Sequence, residues 1–265
     1  MNRRMLGRIV AGAVAAMAAA IVQGAAAADL VVMSSGGFSA AFRAIAPEFE
    51  RVSGHHVSLV VGASMGSTPE AIPARLRRGE PADVLIMVGA ALEDLIRQGV
   101  VDSASRVEVA RSMIGMAVRA GAKRPDIGSV EAFRRAMLEA KTIGLSDSAS
   151  GVYLSTVLFK QLGIDEQVRA KCRTIEGADN PVGGAVARGE VDVGFQQIAE
   201  LLPVPGIDLV GPLPPAIQKV TPYLAGIPRA APQPEAAREL LRFLVSPAAA
   251  PAITRAGMDP APARR

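Results

Sequence analysis

The sequence predicts an α/β protein made of two similarly built lobes. Strand-like and helix-like segments alternate along almost the whole chain. Two longer extended stretches, near residues 107–118 and 203–215, interrupt that alternation where the chain would cross between lobes. The segment Arg78-Gly79-Glu80-Pro81-Ala82-Asp83-Val84 is echoed by Arg188-Gly189-Glu190-Val191-Asp192-Val193, each a helix end, a glycine stop and a new strand. A length of 265 residues suits two lobes of about 100–150 residues each.

The elements follow in order. Leu30 to Met33 reads as a buried strand. Phe38, Phe42, Ile45, Phe49 and Val52 then recur at helical spacing, with Gly54 as the stop and Pro47 predicted to kink the helix near Arg43. Val57 to Val61 is a strand, and Thr68-Pro69-Glu70 reads as the cap and first turn of a helix ending at Gly79. Asp83 to Val88 is a strand and Ala91 to Gln98 a helix. Val107 to Val118 is the outgoing crossover. Ser129 caps a helix to Ala140, Thr142 to Leu145 is a strand, and helices run from Ser150 to Gly163 and from Val182 to Gly189. Val191 to Phe195 is a strand, the proline-rich stretch 203–215 the return crossover, and 218–227 extended. Pro234 opens a helix with Ala237, Leu240, Leu241 and Leu244 on its apolar face, and a last helix precedes Gly257.

Residues 1–28 read as an export signal: Arg3, Arg4 and Arg8, an apolar run from Ile9 to Val22, then Ala25 to Ala28 as an A-x-A cleavage site. The apolar run is too short for a membrane-spanning helix, which needs about 20 residues. The expected mature chain starts at Asp29. Removing three arginines leaves 26 basic residues against 25 acidic ones, a net charge of +1. The sequence pI of 9.6 is therefore partly an export feature, and with no Trp and two Tyr a nucleic-acid surface is not expected. Cys172 is the only cysteine, so no internal disulfide is expected and the core must hold the fold.

Several motifs compete for the chemistry. Gly62-Ala63-Ser64-Met65-Gly66 matches the G-x-S-x-G turn of a hydrolase, with Ser64 as nucleophile. The only histidines, His55 and His56, precede it, so the required chain order fails. Those two histidines read as a solvated turn rather than a metal site, because adjacent residues on a strand face opposite ways. No P-loop or G-x-G-x-x-G is present. Three small polar loops remain, each between a strand and a helix: Ser34-Ser35-Gly36-Gly37, Ser64 to Thr68, and Asp147-Ser148-Ala149-Ser150-Gly151. Glycine admits a ligand to the backbone, serine donates, and helix N-termini carry partial positive charge. Together they suit an anion, with Asp147 arguing the other way.

The order of elements resembles the periplasmic substrate-binding proteins of ABC importers, most closely the molybdate-binding family. The resemblance covers nearly all of Asp29 to Gly257. Its most specific pieces are residues 78–84, Ser150-Gly151-Val152-Tyr153, Gly189-Glu190-Val191-Asp192-Val193-Gly194 and Leu244-Val245-Ser246-Pro247. It implies a type II periplasmic-binding fold: two doubly wound lobes joined by two crossover strands, with a ligand clamped between them. Residues 29–108 and 206–259 would form one lobe and its return crossover, 109–205 the other, and 260–265 a disordered tail. The family's ligand-binding positions fall on Ser35 or Gly36, Ser67, Ser150, Asn180 and Gln197, the last an amide where the family has tyrosine. The resemblance implies a monomeric, non-enzymatic periplasmic protein without cofactor or metal. It would capture a molybdate-like oxyanion, or in the alternative a small organic carboxylate, and deliver it to a membrane ABC permease.

Overall fold

The alternation resolves into two sheets. The computed structural model describes residues 27–66, 68–177 and 181–261. Most of the export signal, Ser67, Asn180 and residues 262–265 lie outside these.

The first lobe opens with β1 (Asp29–Ser34), α1 (Gly36–Ser53), β2 (His56–Val61), α2 (Ile72–Arg77), β3 (Val84–Val88), α3 (Gly89–Arg97) and β4 (Val107–Ser112). After Met113 the chain enters the second lobe as β5 (Ile114–Arg119), α4 (Val130–Glu139), β6 (Ile143–Ser146) and α5 (Ala149–Tyr153). A π-helical turn (Leu154–Leu158) leads into α6 (Phe159–Gln161) and α7 (Asp165–Arg169). The lobe is completed by β7 (Cys172–Ile175), α8 (Pro181–Ala187), β8 (Val193–Gln197), α9 (Ile198–Leu201) and β9 (Ile207–Pro212). β10 (Thr221–Gly226), α10 (Pro234–Leu244), α11 (Ala250–Arg255) and β11 (Asp259–Pro260) return to the first lobe.

Strand order is β11-β4-β10-β3-β1-β2 in the first sheet and β7-β6-β8-β5-β9 in the second. In each, a central strand (β1 or β6) has parallel neighbours on both sides, and the next strand pairs antiparallel with a crossover strand. The lobes therefore repeat one plan, which accounts for the sequence echo. Gly79 and Gly189 both take a left-handed conformation, with φ of 76° and 73°, to stop a helix. Four residues on, Asp83 accepts a 2.8 Å hydrogen bond from the Val31 N–H of β1. Its counterpart Asp192 accepts from the Lys141 and Thr142 N–H groups at the start of β6, at 2.9 and 3.2 Å.

Packing follows the pleat. Val84, Ile86 and Val88 face one core with α1 and α10, while Leu85 and Met87 face another with α3. On α1 the residues Phe38, Phe42, Ile45 and Phe49 are buried as the spacing predicts, each contributing about 1.5–3 kcal/mol. Val52 is the exception, 52% exposed at the end of the helix. α1 is continuous through Pro47. In the second lobe Met116, Phe133, Phe159 and Phe195 form the core.

Other expectations are corrected. Helix α2 begins at Ile72 with Pro73 in its first turn, so the segment 68–71 is a turn and not a helix start. β9 still belongs to the second sheet, so the return passage falls between Pro212 and Thr221. Pro260 pairs with Ala110 in the first sheet, and the Ala261 N–H bonds the Val109 carbonyl, so the chain stays ordered against β4 there.

The two crossovers are tied together. Gln218 accepts from the Ile114 N–H and donates to the Ile114 carbonyl, each at 2.9 Å. Beside it the Gln197 amide donates to Thr221 Oγ1 at 3.2 Å. Among the described residues no helix is long and apolar enough to cross a membrane.

Candidate functional site

The loops that follow the parallel strands of both sheets meet in one cleft, as the C-terminal strand ends of open α/β sheets do. From the first lobe come Ser35, Gly36 and Gly37 after β1, Ala63 and Ser64 after β2, Val88 at the end of β3, and Tyr223 of β10. The second lobe supplies Ser146, Asp147 and Ser148 after β6, Gly177 and Pro181 after β7, and Gln196 and Glu200 around the end of β8. The space between these walls is about 20 Å³, enough for one water. A larger hollow of about 420 Å³ lies at the other end of the second sheet, beside Arg119 and Val193, away from the strand ends where such folds hold ligands.

Each loop is shaped by its sequence. Ser35 holds the N-cap position of α1, yet its hydroxyl makes no capping bond. It is left beside the Tyr223 phenol. Gly37 has no Cβ because the Tyr223 hydroxyl rests against its Cα. After β6, a Cβ at Gly151 would collide with the Ser146 carbonyl, so glycine allows the chain to fold back on the strand end. Ser146 Oγ then lies 3.0 Å from Ser150 Oγ and accepts from the Gly151 N–H at 3.3 Å. Asp147 sits on this closed loop and faces the cleft.

The electrostatics are unusual for an anion site. The described lining holds two carboxylates, Asp147 and Glu200, and no Arg, Lys or His. Positive potential comes from backbone and hydroxyl donors, with the 18-residue α1 opening on the cleft through Gly36. Partial burial pushes the Asp147 carboxyl above the ordinary carboxylate range; its own backbone N–H works against this and Glu176 adds to it. Tyr223 is 1% exposed, and burial raises its phenol well above the usual value. The Glu200 charge adds to that rise, the nearby Ser35 hydroxyl opposes it, and the phenol stays neutral.

The sequence-derived positions are only partly gathered here. Ser35 and Gly36 line the cleft. Ser150 is buried behind it, bonded to Ser146. Gln197 turns toward the crossovers, and its neighbour Gln196, 2% exposed and with an unpartnered Oε1, forms the wall. Ser67 and Asn180 lie outside the described residues. Glu200 and Tyr223 were missed, since neither stands in a small polar loop.

The competing motifs resolve into structure. Ser64 Oγ accepts from the Val88 N–H at 3.0 Å and pins the end of β3. His55 was expected in a solvated turn but is 2% exposed. Its Nδ1 accepts from the Ala28 N–H at 3.1 Å, and Nε2 lies 3.3 Å from Glu239. That places it at the start of β1, a strand length from Ser64. Cys172 is half-buried on edge strand β7, with its thiol pushed up by burial. No group of three or more His, Cys, Asp or Glu among the described residues could hold a metal ion.

Two α/β lobes of like plan with a cleft between their strand ends are the fold of the two-lobed periplasmic binding proteins. Residues 30–259 match the family model described as bacterial extracellular solute-binding protein, and the chain belongs to that family. Among solved structures it is similar to the periplasmic molybdate-binding protein of Azotobacter vinelandii, with a TM-score of 0.69 and 21% identity over 86% of this chain and 98% of that one. It is also similar to the sulfate-binding protein SubI of Mycobacterium tuberculosis H37Rv, with a TM-score of 0.71 and 18% identity over 88% and 87%. Among curated proteins it is 48% identical over 235 residues, 89% of each chain, to an aconitate isomerase from Pseudomonas sp. That relative is an enzyme, and it corrects the expectation of a family member without enzymatic activity.

Proposed function

We propose that the chain is an exported isomerase of small unsaturated polycarboxylates, taking an aconitate-like substrate between its lobes. The observation that carries this reading is the 48% identity to an aconitate isomerase across 89% of both chains. The cleft supports it chemically. Aconitate carries a methylene that is both allylic and next to a carboxylate, so a positioned base can remove its proton. The electron pair delocalises over the three-carbon unit, and a proton returned at the far carbon leaves a shifted double bond. Its geometry is set by the conformation in which the substrate is held. The exchange needs no redox partner. It needs an acid–base side chain, donors for the carboxylates and a shape that fixes the rotamer. Asp147 and Glu200 offer carboxylates, and Ser35, Gln196 and the start of α1 offer donors.

Residues 1–28 would direct the chain to the periplasm and be removed near Ala28. A second reading, favoured by the family match over residues 30–259, adds hand-over of the bound organic anion to an ABC permease. Opening of the lobes about the 113–114 and 212–221 crossovers would admit the ligand. One test is a thermal-shift panel alongside turnover. Ligand at about 100 times its Kd stabilises the native state by about 2.7 kcal/mol. The reading predicts shifts with cis- and trans-aconitate, none with molybdate or sulfate, and interconversion of the two isomers. Shifts without interconversion would leave only the capture reading, and a shift with molybdate alone would overturn both.

A further inference from the structure

We infer that Asp147 is the catalytic base that moves the substrate proton, an assignment that rests on the isomerase reading. A cleft built only to hold a polycarboxylate is weakened by a carboxylate in its wall, because like charges repel. Asp147 therefore needs a chemical task. Three further observations point to it. Among the described residues no side chain pairs with the Asp147 carboxylate, and the bond it makes is to its own backbone N–H. Glu200, the other carboxylate of the cleft, lies by Tyr223 and has interactions of its own. The Ser146–Gly151 loop fixes the Asp147 backbone through the Ser146–Ser150 contact and the absent Cβ of Gly151. On the same wall, at the end of the neighbouring parallel strand β8, Gln196 is 2% exposed with no partner for its amide oxygen. Turned either way, that amide has a buried polar atom to offer a ligand, and its N–H₂ suits a carboxylate.

Among the described residues the charge that acts on Asp147 is that of Glu176 from the loop after β7, and Glu200 of α9 and the neutral Tyr223 of β10 line the same cleft. None neutralises it, and its own burial with the Glu176 charge keeps its proton affinity high for an aspartate. In the step, an Asp147 oxygen takes the methylene proton and the C–H electron pair enters the allylic carboxylate system. The same carboxyl returns the proton to the far carbon as the double bond moves. Atoms and charge balance, and Asp147 ends as it began. Gln196 is a positioning residue that holds a substrate carboxylate over this base.

The test compares wild type with Asp147→Asn, Asp147→Glu and Glu200→Gln, using cis- and trans-aconitate in D2O. Wild type must interconvert the isomers; a wild type that does not overturns the isomerase reading and this assignment with it. With wild type active, Asp147→Asn should lose about 10²–10⁴-fold in kcat. Its Kd for aconitate should stay within about threefold or tighten, since a like charge has gone. Asp147→Glu should restore part of kcat and shift the acidic limb of the pH profile. If the Asn variant does not fold, Asp147→Ser makes the same test. Retention of kcat within tenfold in a folded Asn or Ser variant overturns the assignment while leaving the isomerase standing. A kcat loss in Glu200→Gln as large as in Asp147→Asn, with no rescue by Asp147→Glu, would move the base to Glu200.

Discussion

The Tyr223 hydroxyl rests against the Cα of Gly37, so closely that any side chain at position 37 would occupy the phenol's place. This contact joins β10 to the first turn of α1 on the floor of the cleft. The phenol is 1% exposed, within the core that also holds Phe38, its ring centroid 6.4 Å away.

Gly37→Ala must therefore displace Tyr223. The expected cost is about 1–3 kcal/mol of stability, as for other overpacked cores, with a clear loss of ligand affinity. Tyr223→Phe removes the atom that the methyl meets first. The double variant should be more stable than the sum of the single effects implies, which denaturant unfolding of all four proteins would show.

Asp147 gives a pH-dependent prediction. Its carboxyl is raised in the folded protein, so the native state favours its protonated form. That contribution is fully present below the ordinary value of 3.8 and is lost as pH rises through the folded-state value. Asp147→Asn removes a partly buried charge at neutral pH. Its melting temperature should exceed wild type by about 1–2 °C there, a figure kept small because the group is partly solvated. The difference should vanish below about pH 3.5.

The equivalent aspartates should not be equally sensitive. Asp83 is 1% exposed and accepts from the N–H groups of both Val31 and Gln233, joining β1 to the start of α10. Asp192 is exposed. Asp83→Ala should cost about 2–4 kcal/mol and Asp192→Ala about 1 kcal/mol or less in denaturant melts.

Gln218→Ala should leave the main-chain N–H of buried Ile114 without its Gln218 partner at the junction of the two crossovers, while the Ile114 carbonyl keeps the Leu213 N–H. A loss of about 1–3 kcal/mol follows. Faster amide exchange at Ile114 should accompany it, while the β6 amides stay protected.

These relationships differ in how far they can be read from sequence. The alternation, the glycine stops at 79 and 189 and the outgoing crossover at Val107 to Val118 were legible because they depend on local period and backbone conformation. The Asp83 and Asp192 echo was visible as a pattern, but its meaning lies in bonds to residues 31 and 141–142. The site was harder. Ser35 and Gly36 stand in a recognisable strand-to-helix loop. Gln196 and Gln197 are adjacent on β8, and which of them faces the cleft depends on strand parity at the crossover. Tyr223 reaches the cleft from a strand 186 residues beyond Gly37, where no local signal marks it. The cap expected at Thr68 failed because Pro73 serves a later start at Ile72.

The central claim is that this solute-binding scaffold performs an isomerisation, and proton NMR of trans-aconitate with catalytic amounts of the protein in D2O tests it most directly. The account predicts growth of the cis vinyl signal to an equilibrium mixture that is also reached from the cis side, with label moving into or out of the methylene position. Unchanged spectra over many hours, with the same sample shown by thermal shift to bind aconitate, would contradict it.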